Sequence, residues 1–318
     1  MNSRRFWLSK EVFIGLAVAF IIAVPVLVFG STKVVFVDKD ANGSQDGTSD
    51  HPYQSISEAL DHIKDGTEVH IAKGTYKENV TLPKGVKLIG TKKDRGAVVI
   101  EAKNDSRPTI TMKHQSELDH LTVEGGRHGV RIVEDSKAII YDVVVKNSNR
   151  DGIHIDAAPL NKKYQIYIGK TDVKNNDRAG IYAEKRNIVI MDSNIISNDS
   201  DGIDFAAGTK AWLENDRFND NKGSGAKFTL DGANIWSKKN GFRNSKHEGA
   251  EVNAYGVAGM ISFKKTTLVN NDQYGIAKIA RTVSGTRAFG GIVLESGMNV
   301  NNISNNTFGN ISSILRVF

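Results

Sequence analysis

The feature that most limits how this chain can fold is a short phrase returning between His128 and Lys278: a leading residue, glycine, an aliphatic, any residue, and usually an apolar one. It reads His128-Gly-Val-Arg-Ile132, Asp151-Gly-Ile-His-Ile155, Ala179-Gly-Ile-Tyr-Ala183, Asp201-Gly-Ile-Asp-Phe205, Ser224-Gly-Ala-Lys-Phe228, Glu248-Gly-Ala-Glu-Val252 and Tyr274-Gly-Ile-Ala-Lys278. Its glycines, Gly129, Gly152, Gly180, Gly202, Gly225, Gly249 and Gly275, are 23, 28, 22, 23, 24 and 26 residues apart. A loosely held period in the twenties, with alternating apolar positions after each glycine, predicts a solenoid whose coils carry strands. One phrase is too short to bury its own apolar side chains. Ile153 and Ile155 need Ile181, Ile203 and Phe205 stacked above them, and parallel pairing supplies that.

An asparagine precedes most of these glycines: Asn147, Asn175, Asn198, Asn219 and Asn221, Asn244, Asn270 and Asn271. Stacked amides at a bend can bond the backbone and the amide of the next coil, so these positions are expected to form corners. The glycine is expected to admit the tight turn into the following strand.

Side chains one and three residues after each glycine should point into the core, so the residue between them points out. Those outward residues are Arg131, His154, Tyr182, Asp204, Lys227, Glu251 and Ala277, an exposed column with a step of roughly 4.8 Å. Flanking it are His128, Asp151, Ala179, Asp201, Ser224, Glu248 and Tyr274 just before the glycines, with Asp156 and Glu184 on the far side. His154 and Tyr182 are the acid and base candidates, and Asp151, Asp201 and Asp204 supply carboxylates. Arg131, Arg150, Arg178 and Lys227, with Asp156, Glu184 and Glu251, would hold substrate. Removing a proton α to a sugar carboxylate needs a base of suitable pKa and a cation to neutralise that carboxylate. Hydrolysis would instead need two carboxyl groups, and Asp151 and Asp201, two coils apart, would lie at roughly 9.6 Å, the upper end of the inverting range.

The chain resembles the right-handed parallel β-helices of the pectin-lyase-like superfamily. Beyond the repeats, the resemblance rests on Val34-Val-Phe-Val-Asp38, Asp46-Gly-Thr-Ser-Asp-His-Pro-Tyr53, Ile56-Ser-Glu-Ala-Leu60, Asp65-Gly-Thr-Glu-Val-His-Ile71, Lys73-Gly-Thr-Tyr-Lys-Glu78 and Leu88-Ile-Gly90. It implies an all-β fold and no single activity, since lyases, hydrolases, esterases, epimerases and adhesins share it. The stretch Asn198-Asp-Ser-Asp-Gly-Ile-Asp204 is similar to a polygalacturonase motif, which would carry over Asp201 and Asp204. The Gly-His-Gly and Arg-Ile-Lys elements of that family are absent.

Ahead of the solenoid, Arg4, Arg5 and Lys10 flank an uncharged apolar run from Val12 to Phe29. Eighteen residues just span a bilayer core, and the positive flank should stay cytoplasmic. The expected division is therefore 1–31 as tail and anchor, or as a cleaved signal peptide, and 32–318 as an extracytoplasmic β-helix domain. With no cysteine, neither a disulfide nor a Cys-linked lipid can form. A bacterial source and a monomer are expected. The net charge of +6 is spread without a basic run, which argues against nucleic acid as a partner.

Two segments suggest accessory features. Asp38, Asp40 and Asn42, with Asp46 beyond, alternate as in a calcium loop, but Ser49 stands where a bidentate Glu is needed. Calcium is the one cofactor suggested, against a polar loop capped by its own side chains. Ser55-Ile-Ser-Glu58 is a capping box opening a short amphipathic helix, expected to plug the solenoid's N-terminal end. Tyr76 and Glu78 are read as structural. After Ile279 a loop from Arg281 to Phe289 and one or two final coils are expected.

The function that follows is binding, and lyase- or epimerase-like modification, of an acidic, uronate-containing polysaccharide. A non-catalytic carbohydrate-binding, scaffold or adhesion module and a glycoside hydrolase are the alternatives.

Overall fold

Three parallel sheets wind around one apolar interior, each coil giving one strand to each sheet in turn. The structure, a computed structural model, describes residues 33–92, 94–134, 136–158, 165–280, 289–294 and 301–316. The sheets hold 11, 10 and 10 strands among these residues, every pairing parallel and between successive coils. This is the expected right-handed parallel β-helix. The apolar run 12–29 and the loop 281–288 lie outside the described residues. Among those described, no helix is long and apolar enough to cross a membrane.

The repeated phrase marks one sheet, which carries the site. Its strands include Val130–Ile132, Ile153–Ile155, Ile181–Ala183, Ile203–Phe205 and Ala226–Thr229, in register, so that Ile153 lies beside Ile181 and Ile181 beside Ile203. Inward residues such as Ile155, Phe205 and Phe228 are fully buried. Burying each contributes about 2–3 kcal/mol. The interior aromatics also meet each other: Phe218 and Phe242 stack at 4.8 Å, and Phe205 meets Phe228 edge-on at 6.1 Å. The other two sheets, with strands such as Gln165–Gly169 and Asp172–Lys174, have no comparable sequence phrase.

Two expectations about the corners change. The asparagines divide into two separate columns. Asn147, Asn175, Asn244 and Asn270 are exposed and adopt positive φ between 54° and 59°, a left-handed turn that asparagine tolerates. The next residues inward, Asn176, Asn198 and Asn221, form the buried amide ladder: Asn176 Nδ2 donates to Asn198 Oδ1 at 2.8 Å, and Asn198 Nδ2 to Asn221 Oδ1 at 3.1 Å. Asn271 continues it to Asn306, whereas Asn219 belongs to neither column.

The repeat glycines have ordinary negative φ, so the turn does not require them. Close packing does. A Cβ on Gly152 would sit 2.9 Å from the carbonyl oxygen of Gly180, and one on Gly180 2.7 Å from that of Gly202.

The capping box forms a short helix, Ile56–Asp61, with the Ser55 side chain accepting from the Glu58 backbone N–H at 3.2 Å. Ile56 and Ala59 join the core. Glu78 accepts the backbone N–H groups of Ile56 at 2.9 Å and Ser57 at 2.8 Å. Tyr76 is buried and donates to the Ala72 carbonyl at 3.0 Å, and that burial pushes its phenol up to about 12. Both residues therefore act structurally, as expected.

Candidate functional site

Strand register alone assembles the expected column. Arg131 lies beside His154, His154 beside Tyr182, Tyr182 beside Asp204, Asp204 beside Lys227 and Lys227 beside Glu251. The column does not continue to Ala277, which is fully buried where the pairing of its strand becomes irregular. From Arg131 to Lys227 it floors a groove of about 970 Å³. Arg150, Asp151, Asp156, Arg178, Glu184 and Asp201 line the same groove, and Glu251 does not. Glu251 Oε1 instead accepts from Asn253 Nδ2 at 2.7 Å.

The tightest part of the groove spans two coils. His154 Nδ1 lies 2.8 Å from Asp151 Oδ2, and His128 Nδ1 approaches the same oxygen at 3.4 Å. The His128 and His154 rings are 4.4 Å apart, and His154 stacks on Tyr182 at 5.0 Å with planes 9° apart. Burial alone would raise the Asp151 carboxyl, but the flanking imidazoles outweigh it and hold that carboxyl well below the usual range. A neutral His154 that donates Nδ1–H to Asp151 would present its lone pair at Nε2. It lies 3.6 Å from Asp156 Oδ1.

Two coils further on, Asp201 behaves in the opposite way. Burial pushes its carboxyl up to about 6, although Oδ1 accepts the Ser224 backbone N–H at 2.7 Å. Next in line, Ser224 Oγ donates to Glu248 Oε2 at 3.0 Å, and burial raises that carboxyl too. Burial likewise raises the Tyr182 phenol, so this hydroxyl is protonated at neutral pH. Environments that drive neighbouring titratable groups apart are what acid and base partners require.

All four expected cations line the groove, and Arg131 differs from the other three. Arg131 is engaged by Asp156, with Nη2 to Oδ2 at 2.7 Å and Nε to both oxygens at 3.1 Å. One rim instead carries an arginine on each of four successive coils: Arg107, Arg127, Arg150 and Arg178. Arg127 N donates to Arg107 O, Asn149 N to Gly126 O and Arg178 N to Arg150 O, which sets them level above level. Among the described residues none of the four forms an ion pair, and neither does Lys227, on the groove floor. Arg107 and Arg127 were not among the expected site residues. Three of the row were readable as Arg127-His-Gly, Arg150-Asp-Gly and Arg178-Ala-Gly, an arginine two places before a coil glycine.

Arg186 supports the opposite wall from beneath. Its buried guanidinium donates to the carbonyls of Glu134 at 2.7 Å, Asp156 at 3.0 Å and Ser136, fixing the segments that follow two site strands. A lone arginine outside the phrase carried no signal for this role.

The suggested calcium ligands turn to their own backbone. Asp38 Oδ1 accepts Asp40 N at 3.0 Å, Asp46 Oδ1 accepts Thr48 N at 2.9 Å, and Asn42 Nδ2 donates to Asp40 O at 3.4 Å. Asp40 Oδ1 pairs with Lys39 Nζ at 2.7 Å. These are the bonds of a self-capped polar loop.

The sequence family described as "Protein of unknown function (DUF1565)" matches residues 40–314. No curated protein matches the chain. Among solved structures, pectate lyase Pel9A superposes with a TM-score of 0.61 at 13% identity, over 80% of this chain and 77% of its own. A polygalacturonase from Erwinia carotovora ssp. carotovora gives 0.53 at 15%, covering 91% and 96%. The A-module of the Azotobacter vinelandii mannuronan C-5 epimerase AlgE4 gives 0.51 at 15%, covering 87% and 97%. At such identities the likeness is one of fold, and the fold is pectin-lyase-like.

Proposed function

The chain belongs to the DUF1565 family, and we propose that it binds a uronate-containing polysaccharide in the groove and removes the proton at C5 of a bound uronate. The observation that carries this reading is the combination on one groove floor of the Asp151–His154 pair, the stacked Tyr182 and a rim of arginines. His154 Nε2 takes the C5 proton, with Asp151 orienting the ring and stabilising the imidazolium. Arg150 or Arg178 neutralises the sugar carboxylate as charge develops on it. In elimination the electron pair left at C5 forms the C4–C5 double bond while the C4–O bond breaks, and the Tyr182 hydroxyl protonates the departing oxygen. In epimerisation the same carbanion is reprotonated from the opposite face. The similar folds of a pectate lyase and a mannuronan epimerase support this class of chemistry.

Hydrolysis is the second reading, favoured by the split between Asp151 and Asp201. At roughly 9.6 Å, two strand spacings, Asp201 would serve as the acid and Asp151 as the base. Against it, Asp151 is buried to 6% exposure and held by two imidazoles. The reading extends to a monomer whose segment 12–29 spans a membrane, with the β-helix outside the cytoplasm and the helix Ile56–Asp61 closing its N-terminal end.

The full chain should be incubated with acidic and neutral polysaccharides while unsaturated ends, reducing ends and epimerised residues are assayed. Unsaturated or epimerised product from acidic polymers alone is expected, with KM rising about tenfold in an R150A/R178A double variant. Reducing ends without unsaturation would favour hydrolysis, and binding without turnover would leave a carbohydrate-binding module.

A further inference from the structure

Three side chains in the groove converge as ligands of a metal ion would. His128, Asp151 and His154 offer ligand atoms that all lie within 4.8 Å of one another, and no other group of this kind occurs among the described residues. Asp151 Oδ2 is 2.8 Å from His154 Nδ1 and 3.4 Å from His128 Nδ1. Zinc bonds of about 2.0–2.1 Å place neighbouring ligand atoms roughly 2.9–3.4 Å apart, across octahedral and tetrahedral angles. The two separations to Asp151 lie close to those edges, and the third pair of donors lies within 4.8 Å.

A second observation is independent of that spacing. His128 is 7% exposed, and its Nδ1 has no hydrogen-bond partner. Its approach to Asp151 Oδ2 has the distance of an ion pair without the angle of a hydrogen bond. A buried nitrogen held only by that long, off-angle contact is incompletely satisfied, and a bound cation would satisfy it. Behind His154, Asp156 faces Nε2 at 3.6 Å and is itself fixed by Arg131. At that distance Asp156 is beyond hydrogen-bond reach and acts on the ring through its charge alone.

The geometry points to a divalent transition-metal site formed by His128 Nδ1, His154 Nδ1 and Asp151 Oδ2, with its remaining positions open to the groove. Two imidazoles and one carboxylate suit zinc, iron, cobalt or nickel, whereas calcium and magnesium prefer all-oxygen shells. Donors from adjacent coils are held by the strand ladder, in which Thr109 N donates to His128 O at 3.0 Å. The site therefore exists before the ion arrives. The inference requires only the three donors; a His154 whose Nδ1 ligates a metal cannot also donate Nδ1–H to Asp151, so the metal-bound groove and the groove with His154 as base are alternative states of the same residues.

The test uses the untagged full chain, stripped with chelator and titrated with Zn²⁺ against a chromophoric competitor, then with Co²⁺ to read its visible absorption. One equivalent should bind, with the Co²⁺ spectrum of a nitrogen and oxygen site of low coordination number. H128Q should weaken zinc binding at least tenfold while still melting in one cooperative transition, and H154Q should do likewise. H247Q, at an exposed histidine outside the groove, should bind as wild type. Absence of a saturable single site, or an H128Q variant that binds zinc as tightly as wild type, would overturn the inference. No turnover enters these readouts, so a failure here leaves the glycan reading standing, and an inactive protein that binds zinc leaves this one standing.

Discussion

Asp151 and Asp201 occupy the same place in the repeat, one residue before a coil glycine and two coils apart, yet their surroundings drive them in opposite directions. Around Asp151 the preceding coil supplies His128 and its own coil supplies His154, and the carboxylate is held ionised against its burial. Around Asp201 the next coil offers the Ser224 backbone N–H and the charge of Lys227, which do not offset burial, and the carboxyl rises to about 6. The solenoid thus fixes where a side chain stands, while the coils above and below decide its chemistry. A single fold can carry many activities for this reason.

Turnover should separate the two carboxylates most strongly. D151N and H154Q should each lower the rate of product formation by about 10²- to 10³-fold, the scale of losing a positioned base. D201N should cost about tenfold or less, because proton abstraction does not pass through it. Equal losses in D151N and D201N would instead pair them as the two acids of a hydrolase.

The pH dependence of stability should then differ in sign. The folded-state pKa of Asp151 lies below its unfolded value, so its contribution is present above the ordinary carboxylate pKa of 3.8 and is lost as pH falls through the folded value. Asp201 is raised, so its contribution is full below 3.8 and is lost as pH rises through about 6. Urea melts across pH 4–8 should therefore show D201N more stable than wild type at pH 7, by on the order of 2 kcal/mol, with the advantage vanishing near pH 4. D151N should be less stable at pH 7 by a similar amount. Parallel curves for the two variants would mean that their environments are alike.

The sequence made one sheet of the three legible, and with it most of the site. The phrase around each glycine fixes which residues face inward, so the stacking of Arg131, His154, Tyr182, Asp204 and Lys227 follows from spacing alone. The other two sheets were less visible because their turns use a conformation rather than a residue type. His120, Asp142, Lys170, Asp192, Asn215, Lys239 and Lys265 all take positive φ near 50–60° with no shared side chain. The pairing of Arg131 with Asp156 and the burial of Asp151 were also hidden, since both depend on side-chain packing between coils that spacing does not encode. The role of the repeat glycines is not legible for the same reason: what they avoid is a neighbouring coil's carbonyl.

The most direct test of the central claim is solvent exchange at the substrate carbon. Full chain and an acidic polysaccharide are incubated in deuterium oxide, and the uronate C5 position is followed by proton NMR. Deuterium should enter C5, or C5 should lose its proton to an unsaturated product, in wild type, and this should fall at least 100-fold in H154Q. A wild-type protein that depolymerises or binds the glycan with every C5 proton retained would contradict the account.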